Sequence, residues 1–301
     1  MSDERTSLIL NPETSASGKE IKEISTPESP KESYLYDGFF ERDINNLECD
    51  EKPELITLMG LSSSGKTTFV GSLYALLRRR SDLLGVNFLN SDTLTGFEKR
   101  VYLRRVKGDF KSAVKRTFRS DGSILNMVIA DENGKDSRML LISDKAGESY
   151  GDVLDRAEEA QKHLAVKYAN KLVLFLDSDE IINHFSLYKD KLLTLLTVFN
   201  SAGMLPDEKR VITVFNKIDM VEGNGNITKE EWEGREKALL DIVNKFFSIE
   251  NTVYRINSLG IKYGEEHDGL ITLYKSLLSR NTPAPLSNEY NWITKLTRSA
   301  K

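Results

Sequence analysis

The sequence is short of the residues that build redox and soft-metal centres. Of its 301 residues one is cysteine, Cys49, and three are histidine, His163, His184 and His267, all far apart. A lone cysteine rules out an intramolecular disulfide and fits a reducing cytoplasm. The scattered histidines offer no spacing for a His/Cys metal site. A surplus of one charge is also missing. The 42 Lys and Arg are set against 46 Asp and Glu, for a formal net charge of −4. Nucleic-acid-binding chains usually carry a basic excess, so no nucleic-acid partner is expected, and the basic stretch from Lys99 to Arg119 is a local feature. No apolar run approaches the roughly 20 residues of a membrane helix. Met1-Ser2-Asp3-Glu4-Arg5 lacks a signal-peptide core. Ser2 stands where myristoylation needs glycine, and Arg298-Ser299-Ala300-Lys301 is no prenylation box. The expectation is a cytoplasmic chain with no membrane insertion and no lipid anchor.

What is present is a loop built for phosphate. Gly60-Leu61-Ser62-Ser63-Ser64-Gly65-Lys66-Thr67 follows the apolar run Leu55-Ile56-Thr57-Leu58-Met59 and opens into the helical pattern Phe69 to Leu77. A strand, a glycine-punctuated turn and a helix N-terminus gather backbone N–H groups and a helix dipole around one concavity. Lys66 would reach the outer phosphates and the Thr67 hydroxyl would ligate Mg²⁺. The four fixed positions coincide by chance in roughly one chain in a hundred of this length at average glycine usage, so the flanking strand and helix carry much of the weight. Gly60, Ser62, Ser63, Ser64, Gly65, Lys66, Thr67 and Thr68 are the expected phosphate ligands.

Three later segments separate GTP from ATP chemistry. Asp144-Lys145-Ala146-Gly147-Glu148 ends the apolar run Met139 to Ser143. An Asp at a strand's carboxyl end can hold the Mg²⁺ shell, and Gly147 would offer its N–H to a γ-phosphate that a side chain would keep away. Asn216-Lys217-Ile218-Asp219 follows Val211 to Phe215. The Asp219 carboxylate would accept two hydrogen bonds from guanine N1–H and its exocyclic amine, a donor pair adenine lacks. Asn216 would brace the phosphate loop and the Lys217 stem would cover the base. After the run Thr252-Val253-Tyr254, N–H groups near Ser258 and Leu259 would meet the guanine O6.

The organisation reads as one α/β domain. Residues 1–50, rich in Ser, Glu, Pro and Lys, read as a mostly disordered leader. Within it, Tyr34, Tyr36, Phe39 and Phe40 suggest a segment that docks on its own domain or on a partner. Residues 51–280 form the catalytic domain and 281–301 a C-terminal tail. Strands are expected at 54–59, 124–131, 138–144, 171–177, 210–216 and 252–257. Asn133-Gly134 makes a hairpin of the second and third, which places one antiparallel strand in a mostly parallel six-stranded sheet. Helices are expected at 66–80, 153–168, 182–200, 229–247 and 269–279, on both faces.

These four segments in this order resemble the Ras-like branch of the P-loop GTPases, over about Glu54 to Leu278. The runs Gly60 to Tyr74 and Asp-x-Ala-Gly-Glu are most similar to the bacterial double-GTPase group associated with conflict and defence gene clusters. The resemblance implies a Ras-like P-loop GTPase fold with bound GTP or GDP, Mg²⁺ and a switch threonine. Thr117 and Thr95, the latter with Thr93, are the candidates for that threonine, and Thr117 stands at the usual distance before the next strand. Arg116 beside it would serve as an arginine finger in cis. Glu148 stands where many members have the glutamine that orients water, and its charge beside a γ-phosphate implies slow hydrolysis. The catalytic set is therefore Lys66, Glu148, Thr117 and Arg116, and the metal set Thr67, Asp144 and Thr117. A protein effector or activating partner is implied. The alternatives are a scaffold that binds GTP without turnover and a P-loop kinase, against which Asn216 to Asp219 argue.

Overall fold

The computed structural model describes residues 38–39, 53–106, 123–206, 210–222, 227–247, 252–259 and 268–280. Among the described residues one sheet has seven strands: β1 (Glu54–Met59), β2 (Val86–Asn90), β3 (Ile124–Asp131), β4 (Ser137–Ser143), β5 (Lys171–Asp177), β6 (Arg210–Asn216) and β7 (Thr252–Ile256). They lie in the order β2-β3-β4-β1-β5-β6-β7. β3 alone runs against the rest, antiparallel to both β2 and β4, while β4, β1, β5, β6 and β7 are parallel. The Asn133-Gly134 turn closes the β3–β4 hairpin, with Gly134 at φ 69° and its N–H on the Asp131 carbonyl at 2.9 Å. Every residue of β5 is buried, as its two-sided apolar run demands of a central parallel strand.

The six-stranded expectation falls short by β2. Val86-Asn87-Phe88-Leu89-Asn90 pairs with β3 at the sheet edge, and none of its residues is fully buried. Such an edge strand has little of the apolar alternation that marks a strand in sequence, and it sits inside a stretch that reads as one long connection. The helix that follows it was hidden in the same way.

The helices are α1 (Lys66–Arg79), α2 (Leu94–Val106), α3 (Gly147–Asp155), α4 (Leu164–Lys167), α5 (Ser178–Asn183), α6 (Phe185–Ser201), α7 (Asp219–Glu222), α8 (Lys229–Phe246) and α9 (Asp268–Leu278). The single helix expected over 153–168 is instead the end of α3, a 3₁₀ stretch at Ala157–Lys162, and α4. Arg156 turns extended between the first two, and the bend delivers the His163 ring into the core, where its centroid lies 4.6 Å from that of Tyr150 and 5.3 Å from that of Phe199. The helix expected over 182–200 begins earlier, at Ser178, and breaks at His184.

Side chains alternate across the sheet, as a period of two requires. Ile56, Leu58, Val173 and Phe175 pack with Phe69, Leu73 and Phe97 from α1 and α2 and with Leu273 of α9. Met59, Leu172, Leu174 and Phe215 pack on the other face with Tyr150, Leu196 and Leu239 from α3, α6 and α8. Both faces are thereby covered, and the carboxyl ends of the parallel strands are left to carry loops. Of the leader's aromatics, Phe39 is buried on its own domain: its N–H and carbonyl exchange hydrogen bonds of 2.8 and 2.9 Å with Ile124, and its ring joins Leu55, Leu141 and Ala165. Tyr34, Tyr36 and Phe40 lie outside the described residues. Among the described residues no helix is long and apolar enough to cross a membrane.

Candidate nucleotide site

The loop from Gly60 to Gly65 leaves β1 at its carboxyl end and turns into α1. Ser63 at φ 67° and Gly65 at φ 90° are both left-handed, the conformation that curls successive N–H groups toward one centre. A Cβ on Gly65 would lie 2.1 Å from Nδ2 of Asn216, so only glycine fits. Asn216, the last residue of β6, ties three loops together. Its Nδ2 donates to the Ser64 carbonyl at 2.8 Å, and its Oδ1 accepts from both the N–H and the hydroxyl of Ser258 at 2.9 Å. The Ser258 carbonyl in turn accepts from the Ser72 hydroxyl of α1 at 2.7 Å. The phosphate loop, the Asn-Lys-x-Asp segment and the loop after β7, distant in sequence, are thus one hydrogen-bonded unit.

Lys66 is buried and turned into the loop. Its Nζ donates to the carbonyls of Gly60 at 2.8 Å and Leu61 at 3.1 Å and to the Ser64 hydroxyl at 3.4 Å, and it stands 5.7 Å from the Tyr150 ring centroid. Burial pushes its pKa down to about 8, opposed by the carboxylates of Asp144, Glu148 and Asp177. The Tyr150 hydroxyl donates to the Leu58 carbonyl at 3.0 Å, which seats α3 against β1 behind this lysine.

Two of the three expected metal residues, Thr67 and Asp144, meet. The Thr67 hydroxyl donates to Oδ1 of Asp144 at 3.1 Å, and the other carboxylate oxygen accepts from Nε of Arg100 at 2.8 Å. A hydroxyl and a carboxylate are hard oxygen donors, which suit Mg²⁺ with phosphate oxygens and water completing its octahedron. Among the described residues no cluster of three or more His, Cys, Asp or Glu gathers that could hold an ion unaided.

Gly147 opens α3 directly against the phosphate loop, and the next residue reaches across: Oε1 of Glu148 accepts from the Ser62 hydroxyl at 3.0 Å. Lys145 donates to the Lys162 carbonyl at 2.9 Å. On the base side, Lys217 takes a left-handed φ of 62° and its Nζ pairs with Asp177 at 2.6 Å. Asp219 is exposed at the start of α7. Leu259 is partly exposed, and its N–H is held by the Asn257 side chain at 2.9 Å. Thr68 is half-buried in the first turn of α1.

Of the threonine candidates, Thr93 is fully buried and its hydroxyl is bound to Asn126 of β3, while Thr95 is exposed on α2. Thr117 and Arg116 lie outside the described residues. Sequence reasoning passed over one partner in this site, Arg100. Arg100 belongs to the basic stretch from Lys99 to Arg119. Its spacing of three from Phe97 places it on the buried side of α2, which was a usable signal.

The family model for Double-GTPase 2 matches residues 54–276, from the first residue of β1 into α9. Solved structures to which the chain is similar include RocCORdC of Methanosarcina barkeri Roco2 bound to GDP, at 14% identity over 76% of this chain and 49% of that one, with a TM-score of 0.40. Another is the GTPase-like domain of S. cerevisiae Ski7 bound to GDP and inorganic phosphate, at 16% identity over 77% of this chain and 52% of that one, with a TM-score of 0.42. The chain spans about half the length of each. No curated protein matches it.

Proposed function

Because the chain belongs to the Double-GTPase 2 family, whose members are P-loop GTPases and bind GTP, we propose that it hydrolyses GTP slowly to GDP and works as a nucleotide-dependent switch. The observation that carries the reading is the convergence through Asn216, whose amide joins Ser64, Ser258 and the base-reading segment into one preorganised rim. In this reading 51–280 is the GTPase domain, with 1–50 as a leader and 281–301 as a tail. Gly60 to Thr68 cradle the phosphates, Gly147 meets the γ-phosphate, Asp219 selects guanine, and Ser258 and Leu259 approach the base. The Lys217 stem lies along the base while Asp177 holds its ammonium. Thr67 and Asp144, with Thr117, would hold Mg²⁺, which when bound supplies positive charge to the β- and γ-phosphate oxygens.

Hydrolysis would proceed by in-line attack of water, with Lys66 offsetting charge on the transferred group. Nucleotide favours the charged form of Lys66, because a polyphosphate supplies the anion that burial withholds. Glu148 has the chemistry to orient or deprotonate the water, yet as a carboxylate it repels the γ-phosphate. That balance supports a low intrinsic rate, with Arg116 or an activating protein raising it. A partner would read the state of the segments at 91–122 and 145–155. A cytoplasmic setting accords with the single cysteine, and a part in a bacterial defence system accords with the double-GTPase kinship. The bond between Glu148 and Ser62 also favours a second reading, a scaffold that binds GTP without turnover. Phosphate release that stays at background with every cellular partner present distinguishes it.

The test is calorimetric titration with GDP, a non-hydrolysable GTP analogue and ADP in Mg²⁺, on the wild type and on Asp219→Ala. The wild type is expected to prefer GDP over ADP by at least about a hundredfold, since a carboxylate placed for guanine's donor pair is left unmatched by adenine, and Asp219→Ala is expected to lose the preference. Equal binding of ADP would overturn the reading.

A further inference from the structure

The carboxylate assigned to the metal already has a cation. Arg100 and Asp144 are an ion pair at 2.8 Å whose side chains are 8% and 0% exposed. The guanidinium is held from its own helix as well, through Nη1 on the Gly96 carbonyl at 2.9 Å. Its third nitrogen, Nη2, is buried with no partner among the described residues. The helix that carries it is pressed on α1, where a Cβ on Gly71 would lie 3.2 Å from the Arg100 carbonyl oxygen. Asp144 is equally fixed, its N–H on the Ser123 carbonyl at 2.7 Å and its Oδ1 on Thr67. A buried carboxylate needs a countercharge, and here α2 supplies it.

We propose that Arg100 is a resident counter-cation for Asp144 which opposes a divalent ion at Thr67 and Asp144, so that metal affinity is set by how α2 is seated. A divalent ion arriving there meets a carboxylate whose charge is already balanced and a second cation within a few ångströms, in a site where water screens little. Like charges brought together in this way oppose binding. Arg100 is a positioning residue: it acts on the nucleotide through Asp144. Any contact that draws α2 away from α1 would free Asp144 and tighten metal binding, which gives a partner a route to the site through that helix.

The inference rests on the GTP-binding reading, and one experiment separates the two. Mg²⁺ is titrated calorimetrically into the GDP complex prepared in chelator, for the wild type, Arg100→Gln and Arg100→Lys. Arg100→Gln is expected to bind Mg²⁺ roughly tenfold more tightly, as removal of one nearby like charge implies, with Arg100→Lys close to the wild type. Unchanged or weaker Mg²⁺ binding in Arg100→Gln overturns the inference and leaves GDP binding intact, whereas failure of the wild type to bind GDP sinks the GTP-binding reading itself. Should Arg100→Gln fail to fold, amide exchange in the wild-type GDP complex answers the same question. Faster exchange across Leu94–Val106 on adding Mg²⁺ is the expected result, and unchanged or slower exchange overturns it.

Discussion

A methyl group on Gly147 would lie 2.5 Å from Cα of Ser62 and 2.6 Å from its amide nitrogen. Those neighbours are backbone atoms of the phosphate loop and cannot swing aside, so a side chain here must lift the start of α3 off the loop. Gly147→Ala is expected to leave GDP binding nearly intact and to reduce the preference for a GTP analogue over GDP by roughly tenfold, the size of an ordinary coupling between two groups. Competition calorimetry with the two nucleotides checks it, and an unaltered ratio would show that Gly147 does not report the γ-phosphate. At this scale much of the site was legible. Gly65 and Asn216 follow from the spacing of their motifs, because a loop that presents N–H groups inward needs a residue without Cβ and a side chain to brace it. The ion pairs of Arg100 and Asp177 were not legible, because their partners, Asp144 and Lys217 respectively, lie far away in sequence.

Among the elements, α9 depends on a lysine in a strand. Lys171 opens β5 with its side chain buried, and its Nζ donates to the carbonyls of Leu277 at 2.6 Å and Ser279 at 2.9 Å while pairing with Glu54 at 2.8 Å. It therefore satisfies the last carbonyls of a helix whose orphan acceptors and negative dipole end favour a cation. Lys171→Met keeps most of the volume but removes the charge and leaves Glu54 and two carbonyls without it. The expected loss is about 3 kcal/mol, measured by denaturant unfolding, with amide exchange rising first along α9; a loss within experimental error would show that water replaces the lysine. The strongly periodic elements were readable from the sequence: β1, β5, β6, α1 and α8 have long apolar patterns, and Thr228 caps α8 by accepting from the Glu231 N–H at 3.2 Å. β2 and α2 were not, because β2 is partly exposed along its whole length and α2 is weakly amphipathic. What holds them is their pairing with β3 and their packing on α1.

On the scale of the whole molecule, the buried histidine makes stability depend on pH. His163 lies between Tyr150 and Phe199, with Nε2 3.2 Å from the Ser149 carbonyl, and burial, reinforced by Lys145, pushes its pKa down to about 3. As pH falls through 6.5 the unfolded chain takes up this proton and the folded chain does not until about 3, so stability is lost progressively across that window. His163→Phe keeps a ring in the same space and cannot titrate. Between pH 7.5 and 5 the wild type is expected to lose about 2 kcal/mol more than the variant, read from unfolding curves at the two pH values. Equal losses would mean that the ring protonates without unfolding. The sequence alone determined which motifs stand at the strand ends, since a phosphate loop, an Asp-x-x-Gly turn and an Asn-Lys-x-Asp turn are local arrangements whose spacing identifies them. It determined the alternation of strand and helix for the same reason. Only the tertiary structure decided that Asn216 holds Ser258 at the same time as Ser64, that Glu148 rests on Ser62, and that an arginine from an unremarked helix already neutralises Asp144. Those pairings join residues 42 to 152 positions apart in the chain, and no local pattern encodes a partner that only the folding of the sheet brings within reach.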